Sequence, residues 1–213
     1  LYIGNKNYSS WSLRPWLAMK VAGVHFEEKL IPLYNDDWKA TIARVSPSAR
    51  VPVLTDGDLT IWETMAILEY LAERHPDKGL WPQDPAARSM ARSITNEMHA
   101  GFTALRSNMP MNIRKSHPGK GMGKGVAEDI ARIEKIWANC RTRFGEGGDF
   151  LFGKFSIADA MFAPVVSRFT TYVVALSVVS AAYRSSVQAL PEMIEWSDAG
   201  RVEPWTVPHA EID

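Results

Sequence analysis

The sequence is poor in cysteine, in net charge and in uninterrupted apolar runs. Its 213 residues contain one cysteine, Cys140, which excludes an intrachain disulfide and fits a reducing, cytoplasmic location. Lysine plus arginine and aspartate plus glutamate each number 24, so no charge excess points to nucleic acid or to a membrane surface. The most apolar stretch, Val165 to Val179, is interrupted by Arg168 and predicts a buried helix instead of a membrane span.

The sequence also lacks a recognisable metal site. The five histidines show no ligand spacing, so no metal is expected; they are His25, His75, His99, His117 and His209. The segment from His117 to Gly125 resembles a phosphate-binding loop only in composition, because it has no preceding strand and no Lys-Ser/Thr pair. We expect a flexible interhelical loop there. Cys140 lies on an apolar helical stripe and is expected in the core.

The first 75 residues follow the order strand, helix, strand, hairpin, helix. An apolar strand at residues 1–3 precedes a helix predicted from Leu13 to Ala22, and a second strand is predicted within residues 26–33. Asp56-Gly57 separates two short apolar runs, which predicts a β-hairpin. Helical spacing then continues to His75. This order is that of a thioredoxin-like domain.

The second half of the chain shows helical periodicity throughout. One apolar stripe runs from Met90 to Leu105, and a second runs from Val126 to Phe144. Ser156 and Asp159 form a capping-box pattern, with Asp in the place of Glu, at the start of another helix. A last helix is predicted from Pro191 to Ala199.

These patterns predict two domains. The fold class expected is an α+β thioredoxin-like domain over residues 1–78, followed by an all-α domain over residues 86–213. Two prolines and a glycine mark residues 79–85 as a linker between the domains.

Three serines crowd the predicted start of the first helix. Ser9, Ser10 and Ser12 stand where free N–H groups and the positive end of the helix dipole meet. Such a place can hold an anion or stabilise a thiolate. The structural alternative is that Ser12 is the N-cap and the other serines belong to a loop.

Four features in this order resemble a cytosolic glutathione S-transferase. They are the serine cluster, Val51-Pro52 before the hairpin, Glu63-Thr64 opening the next helix, and the Ser156–Asp159 box in a helical second half. The Ser-Ser-x-Ser run is most similar to the zeta class, which includes maleylacetoacetate isomerases, and bacterial relatives share such a serine-based site. Two departures stand out. Trp11 occupies the place of a zeta cysteine, and Glu63-Thr64 the place of Gln-Ser.

The resemblance implies glutathione as the co-substrate. Thr64 and the helix N–H groups would hold the γ-glutamyl carboxylate, and Glu63 the ammonium. Val51 would pair its backbone with the cysteinyl unit beside a cis proline, Pro52. Without the resemblance, Glu63-Thr64 is an ordinary helix start. The full set implied to contact glutathione is Ser9, Ser10, Trp11, Asp37, Trp38, Arg50, Val51, Pro52, Glu63 and Thr64.

A serine hydroxyl that donates to the sulfur would lower the thiol pKa. We expect Ser9 to do so, because it precedes the helix while Ser12 is expected to cap it. Ser10 is the competitor, since Arg14 follows it by four residues, as in other serine-type classes.

The resemblance also implies an electrophile pocket between the domains. Its predicted lining is Tyr8, Trp11, Asn108, Met109, Met111, Asn112 and Arg114, although ordinary packing would also account for these residues. The function implied is conjugation of glutathione to small, mostly apolar electrophiles in detoxification. The alternatives are a glutathione-dependent cis–trans isomerase and a non-catalytic binding protein. We expect a homodimer that engages no nucleic acid and no membrane.

Overall fold

A computed structural model of the chain describes residues 1–212. These residues form four strands and nine α-helices. The strands are β1 (Tyr2–Ile3), β2 (Lys29–Leu30), β3 (Val53–Asp56) and β4 (Leu59–Trp62). The helices are α1 (Ser10–Val21), α2 (Trp38–Ala43), α3 (Thr64–Arg74), α4 (Pro85–Ala100), α5 (Thr103–Asn108), α6 (Val126–Phe144), α7 (Ile157–Thr171), α8 (Val178–Gln188) and α9 (Pro191–Val202).

The strands form one mixed sheet in the order β2-β1-β3-β4. Strand β1 pairs parallel with β2 and antiparallel with β3, so Tyr2 lies between Lys29 and Val53. The β3–β4 hairpin turns at Gly57-Asp58, one residue later than the Asp56-Gly57 signal indicated, with Gly57 at φ +56°. The predicted fold class, a thioredoxin-like part followed by helices alone, is confirmed. Asp213, the last residue of the predicted helical domain, lies outside the described residues.

The start of α1 differs from the prediction. The helix begins at Ser10, three residues before Leu13, and Ser9 is its N-cap residue. Ser12 therefore lies in the first turn, and its fully buried hydroxyl accepts a hydrogen bond from the Gly4 N–H at 3.0 Å. The expected capping role of Ser12 is wrong, because that hydroxyl joins α1 to the end of β1.

Helix α7 is the centre of the helical part. It packs against α1 and α4, and nearly all of its residues are buried. The predicted capping box at its start is confirmed, with the Asp159 carboxylate accepting from the Ser156 N–H at 2.8 Å. The same carboxylate accepts from the Leu151 N–H at 3.0 Å and from the Tyr183 hydroxyl at 3.1 Å. Cys140 is fully buried in this core, as expected.

Two helix predictions need correction. The apolar run from Val165 to Val179 is not one helix, because α7 ends at Thr171 and α8 begins at Val178. The stripe from Met90 to Leu105 is interrupted after Ala100, where Phe102 adopts a left-handed conformation at φ +56°. Within residues 1–212, no helix is both long and apolar enough to cross a bilayer.

Candidate active site

Two adjoining cavities lie between the sheet-containing part and the helical part. The large cavity measures about 540 Å³ and the small cavity about 190 Å³. Both are lined by Trp11, Arg50, Val51 and Arg106, so the two cavities adjoin, and together we call them the cleft.

The small cavity is built around the start of α3. Glu63 precedes the helix at φ +69°, and the Thr64 hydroxyl donates to the Trp11 carbonyl at 3.0 Å. This hydrogen bond fixes the start of α3 against the start of α1. The Val51–Pro52 peptide bond is cis, as the resemblance implied, and both residues line this cavity. A helix N-terminus beside an exposed carboxylate can hold the carboxylate and the ammonium of one amino acid.

The large cavity contains the two candidate serines. Ser9 and Ser10 line it at the N-terminus of α1. The Ser9 hydroxyl donates to the Ser12 hydroxyl oxygen at 2.8 Å. The Ser9 hydrogen can turn from Ser12 to a ligand, because hydroxyl groups rotate. The Ser10 hydroxyl has no hydrogen-bond partner within residues 1–212.

Trp11 is held rigidly as the wall that the two cavities share. The Arg14 guanidinium lies 4.2 Å from the Trp11 ring centroid, and the Arg106 guanidinium lies 5.0 Å from it. The His99 ring meets the same indole edge-on at 5.2 Å. Cations over an indole face are attracted by its quadrupole, so these contacts fix the side chain.

Arginines without carboxylate partners surround the large cavity. Arg106 and Arg168 line it, and the buried Arg14 lies behind Trp11. Burial lowers the pKa of Arg14, and the charges of Arg168 and Arg106 lower it further. Burial and the Arg106 charge lower the pKa of Arg168 to about 10. None of the salt bridges within residues 1–212 involves these three guanidiniums.

The residues after α9 form one wall of the large cavity. Val207, His209 and Ala210 line the cavity there. The His209 ring meets the Tyr34 ring at 4.7 Å, and Tyr34 contacts Trp38 at 5.0 Å. These aromatic contacts join the end of the chain to the segment that leads into α2.

Most of the predicted site residues meet in this cleft. The glutathione set lines it except for Asp37, which precedes α2 as its exposed N-cap residue. Of the predicted electrophile lining, Tyr8, Trp11 and Met111 lie on the large cavity.

Four predicted lining residues lie outside the cleft, and their placement is corrected here. Asn108 donates from its side chain to the Ala104 carbonyl, and Met109 is buried with its carbonyl accepting from Arg168. Asn112 is fully buried behind the cavity and hydrogen-bonds Asn7. Arg114 donates to the Glu203 and Trp205 carbonyls.

Four contributors to the cleft were not predicted from the sequence: Arg106, Arg168, His99 and the segment after α9. Arg168 carried a signal, because it is the charge that interrupts the apolar run of α7. The other contributors approach through tertiary contacts that no local pattern indicates.

Metal-ligating clusters and the cysteine are further candidates for parts of the site within residues 1–212. Within residues 1–212, no group of histidine, cysteine, aspartate and glutamate side chains could hold a metal ion. Burial raises the pKa of the Cys140 thiol to about 12, so this thiol stays protonated in the core.

Comparison with known families gives two matches. Residues 8–74 match the domain model described as "Glutathione S-transferase, N-terminal domain". Residues 124–199 match the model described as "Glutathione S-transferase, C-terminal domain". The two matches lie in the order expected for one protein of that family.

Curated relatives include maleylacetoacetate isomerases. The chain is 29% identical to a probable maleylacetoacetate isomerase of Caenorhabditis elegans over 170 residues, which cover 78% of this chain and 76% of the relative. It is 28% identical to the maleylacetoacetate isomerase of Rattus norvegicus over 181 residues, which cover 83% and 81%.

Solved structures share the fold. A glutathione transferase homologue from Burkholderia, solved with bound glutathione, superposes with a TM-score of 0.71 at 22% identity and covers 94% of this chain and 96% of its own. A bacterial maleyl pyruvate isomerase described as a zeta-class glutathione S-transferase gives a TM-score of 0.69 at 19% identity, covering 97% and 100%.

Proposed function

Because the chain belongs to the glutathione S-transferase family and is most similar to its zeta class, we propose that it activates the glutathione thiol and joins it to a small electrophile. The observation that carries this proposal is the position of Ser9 and Ser10, at a helix N-terminus in the large cavity and next to the amino-acid-sized small cavity. The protein is then a transferase with glutathione as its co-substrate.

The cleft offers a complementary group for each part of glutathione. The γ-glutamyl end enters the small cavity, where Glu63 pairs with the ammonium and the N–H groups that open α3 hold the carboxylate. The Val51 backbone pairs with the cysteinyl unit, and the Arg50 guanidinium meets the glycyl carboxylate. This arrangement directs the sulfur toward Ser9 and Ser10.

The serine site makes the thiolate at neutral pH. A free thiol has a pKa of about 8.5, so little of it is ionised near pH 7. Ser9 turns its hydroxyl hydrogen from Ser12 to the sulfur, and the N-terminus of α1 adds positive potential. The thiol proton leaves to solvent. The thiolate then forms a carbon–sulfur bond, and the leaving group departs with its electron pair.

The large cavity favours an electrophile that carries a carboxylate. The expectation of a mostly apolar lining accounts for Trp11 and Met111, but not for Arg106 and Arg168. A buried guanidinium without a carboxylate partner is costly, and an anionic ligand compensates that cost. Planar guanidinium groups also match a carboxylate with two parallel hydrogen bonds.

A second candidate is glutathione-dependent cis–trans isomerisation of an unsaturated acid. Its support is the same arginine pair, together with relatives named as maleylacetoacetate isomerases. The thiolate would add to the double bond, rotation about the resulting single bond would follow, and elimination would release glutathione unchanged. Isomerisation therefore consumes no thiol, whereas conjugation consumes one per turnover.

A three-substrate assay separates the candidates. Chlorodinitrobenzene is a neutral electrophile, chloronitrobenzoate carries a carboxylate, and maleylacetone reports isomerisation. We expect thiol consumption with both aromatic substrates and a lower KM for chloronitrobenzoate. Isomerisation of maleylacetone without thiol loss, and no conjugation, would favour the second candidate. Glutathione binding without turnover of any of the three would indicate a non-catalytic binding protein.

We also propose that the protein is a cytoplasmic homodimer. Leu59 and Trp62 on strand β4 are 55% and 41% exposed, which leaves apolar surface at the open edge of the sheet. A light-scattering mass near 23.8 kDa, the mass of one chain, would contradict the dimer.

A further inference from the structure

Residues 203–212, which we call the C-terminal tail, connect the cleft to the loop that carries Ser9. At its start, the Glu203 carboxylate accepts hydrogen bonds from the N–H groups of Lys6 and Asn7, at 2.7 and 3.0 Å. Farther along, the tail contributes Val207, His209 and Ala210 to the lining of the large cavity. It is therefore a cavity wall that belongs to neither the sheet nor the helix bundle.

The Glu211 side chain is the main polar anchor at the far end of this wall. The Glu211 carboxylate accepts from the Tyr8 hydroxyl at 2.5 Å and from the Asn112 side chain at 3.1 Å. The Tyr8 oxygen in turn accepts from Arg114 at 2.6 Å. Glu211 itself does not line the cavity, whereas its neighbour Ala210 and its partner Tyr8 do.

Arg114 holds the near end of the same wall. Its guanidinium donates to the Glu203 carbonyl at 2.6 Å and to the Trp205 carbonyl at 2.8 Å. Asn112 also donates to the Ala210 carbonyl at 3.5 Å. Asn112 and Arg114, two of the residues expected at the electrophile, thus lie behind the cavity lining, where they hold the tail.

We propose that Glu211 is a positioning residue that docks the C-terminal tail against the large cavity and so sets which sizes of electrophile the cavity selects. The inference rests on the proposed function, because it assigns the electrophile to that cavity. Glu211 acts through Tyr8 and Ala210 and touches no substrate. When the tail is docked, the cavity closes around a small electrophile. When the tail is undocked, the cavity has room for a larger one.

Size preference distinguishes this role from a general structural one. Loss of the Glu211 carboxylate removes hydrogen bonds to a charged acceptor, which weakens docking by about ten-fold or more. A small electrophile then loses contacts on one side, while a bulky electrophile gains space. A folding defect would instead depress turnover of both.

The experiment compares wild type with Glu211→Ala, Glu211→Gln and the control Glu195→Ala. Glu195 is an exposed carboxylate on α9 that pairs with Lys20, outside the cleft. The substrates are chloronitrobenzoate and a homologue extended by a phenyl ring. For Glu211→Ala we expect the KM of the small substrate to rise about ten-fold, kcat/KM of the bulky one to rise, and the glutathione KM to stay within two-fold. Glu211→Gln keeps an acceptor oxygen and should restore most of the wild-type preference, and Glu195→Ala should equal wild type.

Hydrogen exchange provides a readout that needs no activity. Backbone amides of residues 204–212 should exchange faster in Glu211→Ala, while those of α9 stay as in wild type. Unchanged exchange in the tail, or equal loss of turnover for both substrates, would overturn the inference. An inactive wild-type protein would overturn the proposed function instead, and the exchange data would still decide whether Glu211 docks the tail.

Discussion

The two cavities of the cleft are built in different ways. The small cavity is centred on main-chain features close together in sequence, namely the start of α3 and the end of the segment before β3, and Trp11, His99 and Arg106 add side-chain walls. The large cavity collects side chains from the start of α1, from α5 and α7, and from the C-terminal tail. A co-substrate common to a family can be held by local features, whereas the variable substrate meets surfaces that only tertiary packing brings together. The proposed sulfur position lies where the two cavities meet.

The largest expected effect on turnover comes from Ser9, at the proposed sulfur position. Ser9→Ala should lower kcat about 100-fold, because the thiolate loses a prearranged donor. The glutathione KM should stay within a few-fold, since the small cavity is untouched. Steady-state kinetics with chlorodinitrobenzene measures both constants.

Ser10→Ala is the matched variant, because Ser10 lines the same cavity one residue later. It should retain most of the turnover. Full activity of Ser9→Ala combined with loss of activity in Ser10→Ala would transfer the donor role to Ser10.

The next effect concerns the large cavity alone. Arg168→Gln should raise the KM of chloronitrobenzoate by about ten-fold or more, because a charged hydrogen-bond donor to the carboxylate is lost. Chlorodinitrobenzene serves as the internal control and should keep its KM. Equal changes for both substrates would show that Arg168 supports the fold and not the substrate. Arg201→Gln, on the exposed end of α9, should change neither.

A smaller effect is expected in the small cavity. Glu63→Gln should weaken glutathione binding about three-fold, since ion pairs at exposed positions contribute little. Glu73→Gln, a substitution on the exposed face of the same helix, should leave binding unchanged. Retention on a glutathione resin and titration calorimetry both measure this difference. Identical binding by Glu63→Gln and Glu73→Gln would remove Glu63 from the site.

The smallest effect on activity should come from Asp159, which lies outside both cavities. Asp159→Asn should reduce the melting temperature by several degrees, because the carboxylate accepts hydrogen bonds from Leu151, Ser156 and Tyr183. The Michaelis constants for both substrates should not change. A change in the Michaelis constant of only one substrate would contradict this expectation, because it would show that the helical core affects the shape of one cavity.

The difference in stability between wild type and Asp159→Asn should depend on pH. Burial raises the pKa of Asp159 from 3.8 to about 6 in the folded protein, so the folded state holds its proton over a range where the unfolded chain has released it. The stability from this group is complete below pH 3.8 and is lost as the pH rises through about 6. Asparagine does not titrate, so the gap in stability between wild type and variant should narrow from pH 4 to pH 7. A gap that widens over this range would contradict the raised pKa.

Local signals predicted the elements of the sheet-containing part and the α7 capping box. Apolar alternation around a turn defines the hairpin, and the Ser156–Asp159 spacing satisfies the N–H groups of one helix start. The same reasoning placed the serines and Glu63-Thr64 at helix starts, where the structure has them. It misassigned Ser12, because its hydroxyl accepts from the N–H of Gly4, the residue after β1.

The helical side of the cleft could not be predicted in the same way. An apolar stripe continues through Gly101 and Phe102, yet the chain bends there because Phe102 is left-handed. Asn112 and Arg114 have the polar character of substrate residues, but their partners are Glu211 and carbonyls of the tail, about 90 to 100 positions away. Contacts across that separation leave no periodic signal.

The most direct test of the account is the pKa of the glutathione thiol when bound. The ultraviolet absorbance of the thiolate, followed against pH in the complex with wild-type protein, measures it. We predict a pKa between about 6.5 and 7.5 in the wild-type complex, and a return toward about 8.5 in Ser9→Ala. A bound thiol that titrates near 8.5 in the wild-type complex would contradict the claim that this cleft activates glutathione.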